Sequence, residues 1–522
     1  MTKEESLALP AQGREAWNGW AQRMLAERAR MEAAGEWAVE PGSPVNSILR
    51  EGKNDVTKAW LAAAAADFSH HIFAAPVDFT DFQFPADALF SGAHFQAGSA
   101  NAICAKFNGA QFSGDAVFNY AEFFGDANFV RTSFRGGALF REVAFIADAR
   151  FDGVVFNADV TFSATSVAKY VGFRDAEFKG DALFGRTNFG DVTFARATFW
   201  RSAWFSRAIF GGPATFAEAA FRSGAGFGDS TFDGFTSFAK SKFAGPANFD
   251  AVQVNRAFSL DGAAFTQVPN FVQSAFAEAP RLDNARFPKW RLGRDANIPA
   301  RWRALRSLAI KGNDGDREQE FFAMEIRSAR MATDFPWNLR FWGGWIYQIT
   351  ADFGRSILRP LAFWLLTMFC AATYFLAQHP EVAAARASML APGDSPTGSR
   401  PPGAKVAPAG VIAQQSAYWS TAYAAFARPQ ACVAEAKIPA AETNALYEAW
   451  FLAFRNAFIL LDAGGDASYR TYGCLYGYVS DGTQSVGRVP IAVSVAGAVQ
   501  KVLSGVFVFL FGLGLRNMLK MK

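Results

Sequence analysis

Phenylalanine recurs through the middle of this chain at alternating steps of five and six residues. Phe107, Phe112, Phe118, Phe123, Phe129, Phe134, Phe140, Phe145, Phe151 and Phe156 follow one another without a miss. The same beat runs from Phe68 to Phe95 and on to Phe287, with Val167, Val254, Leu260 and Leu282 standing in for Phe. A helix of 3.6 residues per turn would carry such rings around its whole circumference. A strand of period two cannot hold them on one face either, unless the chain turns between rings. A chain that turns a corner every five or six residues keeps them all inside. A short fixed period of this kind marks a solenoid, built by stacking coils and not by one globular collapse.

The residue two before each ring is small or β-branched: Ala105, Ala110, Ala116, Ala121, Ala127 and Thr132 begin the series. Residues i and i+2 of a strand share a face, so this small side chain points inward beside the large one. The six-residue steps carry pairs such as Gly114-Asp115, Gly125-Asp126 and Gly180-Asp181. These are expected to supply the backbone angles of tight corners. Units such as Ala105-Lys106-Phe107-Asn108-Gly109 and Ala110-Gln111-Phe112-Ser113-Gly114 resemble the pentapeptide-repeat family in its Phe-centred variant. The resemblance covers nearly half of the chain. It implies an all-β, right-handed quadrilateral β-helix over residues 67–288.

Four steps make about 22 residues per coil, so the region holds about ten coils and a rod on the order of 50 Å long. Two interruptions are visible. Phe95 to Phe107 holds one residue too many for a six-plus-five pair, around Asn101–Cys104, and Phe189, Phe194, Phe199 run one residue short. Each predicts a bulge or a trimmed corner.

The rest of the chain is organised around this rod. Residues 1–66 are expected to form a helical cap, with Trp17, Trp20, Met24 and Ala33 on a helix over 13–38, because an open coil exposes rings and unpaired strand edges. The N-terminus lacks the basic and apolar stretches of a cleavable signal peptide. After Phe287 the beat stops, and 289–356 reads as a helical linker ending in an interfacial cluster of Trp337, Phe341, Trp342 and Trp345. Within it, 299–333 reads as a helical pair joined at Gly312-Asn313-Asp314-Gly315, its charges forming a solvated, salt-bridged surface.

Residues 357–378 and 491–515 are long and apolar enough to cross a bilayer. Lys501 lies inside the second, either functional in the membrane or snorkelling to its interface. Arg340, Arg355 and Arg359 precede the first span, and Arg516, Lys520 and Lys522 in the basic tail 516–522 follow the second. The positive-inside rule then places both termini in the cytoplasm of a multi-pass inner-membrane protein and exports the loop 379–490. Cys432 and Cys474 are that loop's two cysteines and candidates for a disulfide in an oxidising compartment.

Charge narrows the function. Between residues 68 and 287, 21 acidic side chains face 18 basic ones, a net of −3, and the whole chain carries +4. Neither value supports nucleic-acid binding or the acidic field of a DNA mimic. No phosphate-cradling loop, paired-Cys metal motif or credible triad is present. The four histidines do not converge: His70 and His71 point to opposite sides of a strand, His94 faces outward and His379 ends a span. No catalytic residue, cofactor or metal site is expected. The partners expected are membrane lipid and an unknown protein, with a homo-oligomer as a further option. The favoured reading is a membrane-anchored scaffold whose rod presents surfaces to a protein partner. The alternative is a two-span pore, with Leu446–Leu461 and the following Asp462 to Asp466 placed as a helix and filter loop, although the carbonyl-lined Thr-Val-Gly-Tyr-Gly filter is absent.

Overall fold

A computed structural model of the protein describes residues 1–40, 51–98, 102–288, 295–332, 339–380, 430–431, 442–458, 466–480 and 485–520. The chain divides into two compact units, Met1–Asp334 and Phe335–Lys522.

The first unit is a β-solenoid of short parallel strands, mostly two residues each. In the first coil the faces begin with Ala66–Asp67, Ile72–Phe73, Val77–Asp78 and Gln83–Phe84, faces 1 to 4 here. Faces 1 and 4 each carry nine stacked strands. Faces 2 and 3 join into one sheet because Ser166–Gly172 and Asn188–Thr193 run around the corner as continuous strands.

Successive rings of one face stack almost parallel. Phe112 lies 4.9 Å from Phe134, which lies 5.0 Å from Phe156. On face 1, Phe118 and Phe140 are 4.8 Å apart. The backbone hydrogen bonds between coils set this spacing, so the rings stack as a consequence of the strands. Phe107, Phe112, Phe118, Phe123, Phe129, Phe134, Phe140, Phe145, Phe151 and Phe156 are all buried, and so are Ala105, Ala110, Ala116, Ala121, Ala127 and Thr132 beside them. Where Leu260 narrows a column, Phe258 takes the small position two residues earlier. Its ring fills the gap at 5.5 Å from Phe238 and 5.9 Å from Phe232.

The corners depart from expectation in two ways. The left-handed residues sit in the five-residue steps, not the six-residue ones, and most are not glycine: Tyr120, Arg131, Glu142, Asp175 and Arg196 all have φ near +60°. Tyr120, Arg131, Asp175 and Arg196 are each the third residue of a turn closed by a bond such as Ala121 N–H to Phe118 C=O at 3.0 Å, which is type II geometry. The corner glycines of the six-residue steps serve another purpose. A Cβ on Gly114, Gly136 or Gly180 would lie 2.3 Å from the backbone of the coil below. Close stacking, not backbone angle, demands glycine there.

The first interruption is also larger than its spacing suggests. Phe95 pairs with Phe123 and Val77 with Ala105, each 28 residues on, where the usual pairing is 22, as for Phe112 with Phe134. A single corner has therefore absorbed six extra residues. The apparent surplus of one came from counting that corner as two steps. A bulge at Cys104 restores register against Asp126–Ala127. The second interruption is the trimmed corner expected: Gly190 alone opposes Ala168 and Lys169, and the pairing resumes between Tyr170 and Asp191.

Both ends of the rod are covered. Helix α2 (Arg14–Ala33), after the short α1 (Lys3–Ala8), brings Trp17 onto the first coil, 5.3 Å from Phe84 and 5.7 Å from Phe82. Asn18 accepts from Gln83 N–H at 2.9 Å and donates to Asp81 C=O at 3.0 Å, supplying bonds that a preceding coil would make. Helix α3 (Asp55–Ala64) packs Trp60 and Ala64 beside Met31. At the other end, Phe287 meets Phe321 at 5.1 Å and Trp302 at 6.4 Å from helices α4 (Ile298–Lys311) and α5 (Gly315–Ala332). Arg317 donates to Ala285 C=O at 2.7 Å and Lys311 to Phe276 C=O. The helical pair is thus the second cap, with Arg303–Glu325 at 2.8 Å and Arg306–Glu318 at 3.6 Å on its surface.

The second unit is helical. It holds α6 (Leu339–Ala351), α7 (Leu358–Ala377), α8 (Ala445–Ala457), α9 (Asp466–Tyr476) and α10 (Ile491–Lys520). Helices α7 and α10 run antiparallel. Asn517, late in α10, donates to Gly354 C=O just before α7 at 3.2 Å, and Val493, early in α10, packs with Ala372 and Phe375 late in α7.

Candidate functional site

Because every ring on the five-and-six beat points inward, chemistry on the rod must come from the positions between them. The corner of faces 3 and 4 stacks charges of both signs. Arg196 makes two 2.7 Å bonds to Asp175, and its guanidinium holds that carboxyl below the usual range. Other pairs bridge coils or neighbours at 3.3 to 3.8 Å, among them Lys106–Asp78, Arg207–Asp229 and Lys179–Glu177. Exposed pairs of this kind contribute little stability each. They do keep the surface close to neutral.

The acidic residues of the six-residue steps are structural. Asp87 accepts from Asp115 N–H, Asp115 from Gly137 N–H, and Asp159 from Asp181 N–H, all at 2.8 Å. These carboxylates pair amides one coil further on, so they are acceptors in a ladder, not a catalytic pair. Thr132, Thr187 and Ser230 act likewise, donating at 2.7 Å to Phe107, Phe162 and Phe205 C=O.

The histidines do not meet. His94 Nδ1 lies 3.0 Å from Glu122 on the outside of face 2, and the His70 ring covers Gly92. Burial lowers the His71 pKa, with Lys3 adding to the effect. His379 is buried beyond the end of α7. Among the described residues no group of three or more His, Cys, Asp or Glu could hold a metal ion. Cys104 is free and fully buried, and burial pushes its thiol up to about 11.

Some outward positions carry large apolar side chains that sequence reasoning did not single out. Trp200, Trp204, Phe124 and Phe235 are exposed. Arg222 lies over the Trp200 ring at 5.6 Å, and the Trp204 ring lies over Gly226. Their signal was a bulky residue where the beat calls for a small or polar one.

In the second unit, Leu358–Ala377 and Ile491–Asn517 are long and apolar enough to cross a membrane by length and composition. Lys501 is half-buried on α10. Cys474 on α9 is disulfide-bonded and Cys370 is free. Cys432, Asp462 and Trp337 lie outside the described residues. Gln500 of α10 donates to Ala453 C=O of α8 at 2.7 Å, and Gly497 lies against Asn456.

A family described as pentapeptide repeats matches residues 118–166 in nine copies. No curated protein and no solved structure matches the chain.

Proposed function

We propose, for a chain whose rod is a pentapeptide-repeat β-solenoid, that it serves as a membrane-anchored scaffold. The observation that carries this reading is the division of labour along the chain. The rod's interior is filled by stacked rings, its surface is mixed and near neutral, and the second unit holds two helices of membrane-crossing length. A filled tube offers no substrate cavity, so its use lies in the flat outer faces it presents to a protein partner.

The anchor reading places α7 and α10 across the inner membrane with both termini in the cytoplasm. The arginines flanking the start of α7, and Arg516, Lys520 and Lys522 in the basic tail of the sequence, support that orientation. The intervening segment is then exported, and Cys432 is the proposed partner of Cys474. Membrane pellets washed at alkaline pH should retain the full-length protein, and tags at both termini should resist protease until the inner membrane is opened. Release by the wash, or tags digested in intact spheroplasts, would overturn the anchor or its orientation. A band that shifts on reduction, and no longer does in Cys432→Ser, would support the disulfide pairing. Crosslinking of full-length protein in cells, compared with a chain lacking residues 335–522, should return a protein partner whose capture depends on outward residues such as Trp200 and Trp204.

A pore is the second reading, favoured by α8, which packs on both α7 and α10 with Glu448, Arg455 and Asn456 on its buried side. Conductance of the purified protein across planar bilayers tests it, and silence in that assay retires it.

A further inference from the structure

Helix α8 is amphipathic the wrong way round for water. Tyr447 is 58% exposed and Trp450 38%, whereas Glu448 and Arg455 are 6% and 7% exposed. Leu446, Phe451 and Phe454 share the exposed side, and Asn456 shares the buried one. In water such a helix would sacrifice both the hydration of its charges and the burial of its rings. Next to hydrocarbon the same arrangement is favourable, because polar groups must then face protein.

The depth of α8 can be read from its neighbours. Ala445 and Ala449 pack with Ala372, Phe375 and Leu376 at the end of α7 and with Val493 near the start of α10. Midway, Trp450 lies 6.0 Å from Phe369, and at the far end Phe458 lies 5.0 Å from Trp364. Trp364 stands six residues inside the start of α7, so α8 stops about 9 Å short of that end. Thirteen residues make about 20 Å, too short for a hydrocarbon core of about 30 Å. The chain then returns, since Tyr476 at the end of α9 donates to Phe375 C=O at 2.9 Å, the level at which α8 began.

We infer that α8 and α9 form a re-entrant hairpin. On the reading that α7 and α10 span the bilayer, it dips between them from one side and returns to that side, with acyl chains against the Trp450 face of α8. That face adjoins the exposed apolar side of α7 through Trp450 and Phe369, and α7 and α10 carry exposed apolar residues of their own, Leu366 and Phe509 among them. Inside, Asn456 Nδ2, Gln500 Oε1 and Ser504 Oγ are buried polar atoms without a hydrogen-bond partner. They mark the seam between α8 and α10 as polar at membrane depth.

The test uses full-length protein in liposomes, carrying Cys370→Ser, with Cys104 too buried to label. Spin labels are placed one at a time at Tyr447→Cys, Trp450→Cys and Phe454→Cys, and at Leu366→Cys and Phe509→Cys on the spans. A several-fold excess of oxygen over aqueous nickel-chelate accessibility is expected at all five, with depth increasing from Tyr447 to Phe454. Span sites in lipid with α8 sites open to the nickel chelate would overturn the inference and leave the anchor standing. Nickel access at every site would overturn the anchor itself. Glu442→Cys and Arg488→Cys should react with an impermeant maleimide from the same side of the membrane. Reaction from opposite sides would show that the segment crosses and does not re-enter.

Discussion

A single ring in the rod interior is held by two neighbours in its own column and by the small side chains around it. Phe156 stacks 5.0 Å from Phe134 and 5.2 Å from Phe178. Phe156→Ala should cost about 3–5 kcal/mol locally, because coils held rigid by their hydrogen bonds cannot collapse into the space. The exposed Lys242→Ala should shift the denaturation midpoint by about 0.5 kcal/mol or less, and an equal loss from both would overturn the inward assignment. The two glycine roles separate in the same assay. Gly136→Ala drives a Cβ to 2.3 Å from Gly114 C=O, whereas Gly153→Ala meets only Arg131 Cγ at 3.5 Å and carries the strain of φ +66°. The first should destabilise more than the second, whose cost is about 1–2 kcal/mol; the reverse order would refute the stacking role. Cys104 gives a pH signature. Its folded pKa is raised from 9.0 to about 11 by burial, so the unfolded chain ionises first. Stability from this thiol is fully present below pH 9 and declines towards pH 11. Cys104→Ala should flatten that alkaline decline in thermal melts.

At the scale of elements, the coils make strands of two residues stable only because each is covered above and below. The ends are therefore the weak points. Trp17→Ala should uncover Phe84 and leave Asn18 poorly placed against Gln83, so thermal unfolding should begin earlier and concentration-dependent association should appear in sedimentation. An unchanged midpoint and a monodisperse profile would show that Trp17 is not the cap. The beat, the inward small residues and the trimmed corner at Gly190 were legible because each coil repeats the same steric problem. The twelve-residue corner between Phe95 and Phe107 was misread because a solenoid corner tolerates any length that returns in register, so spacing alone underdetermines it. The angle-bearing corners were misassigned for a related reason. Arg131, Asp175 and Arg196 adopt φ near +60° within type II turns that stacking enforces, so residue preference for glycine gave the wrong signal.

At the scale of the whole molecule, the chain joins a repeat-built unit to a helical one, and the two were legible to different degrees. Composition marked both helices of membrane-crossing length within a residue or two at three of their four ends, since a long apolar run has few other uses. Topology offered Cys432 and Cys474 as a disulfide pair, and Cys432 lies outside the described residues. Composition drew α8 only as an outline, Leu446–Leu461, because a 13-residue helix with two charged positions, Glu448 and Arg455, among apolar ones looks the same in water and in lipid. Which side of α8 faces out is set by its packing on α7 and α10, and no local pattern contains that choice. The second cap was likewise read as a linker, because Trp302 and Phe321 acquire that role only when the last ring, Phe287, arrives beneath them. The sequence by itself determined the repeat, its inward residues and the apolar helices, all of which depend on contacts a few residues or one coil away. Tertiary structure alone decided which glycines were indispensable, what closed the second end of the rod and which face of α8 was polar. Those outcomes depend on surfaces that meet only after the chain has folded.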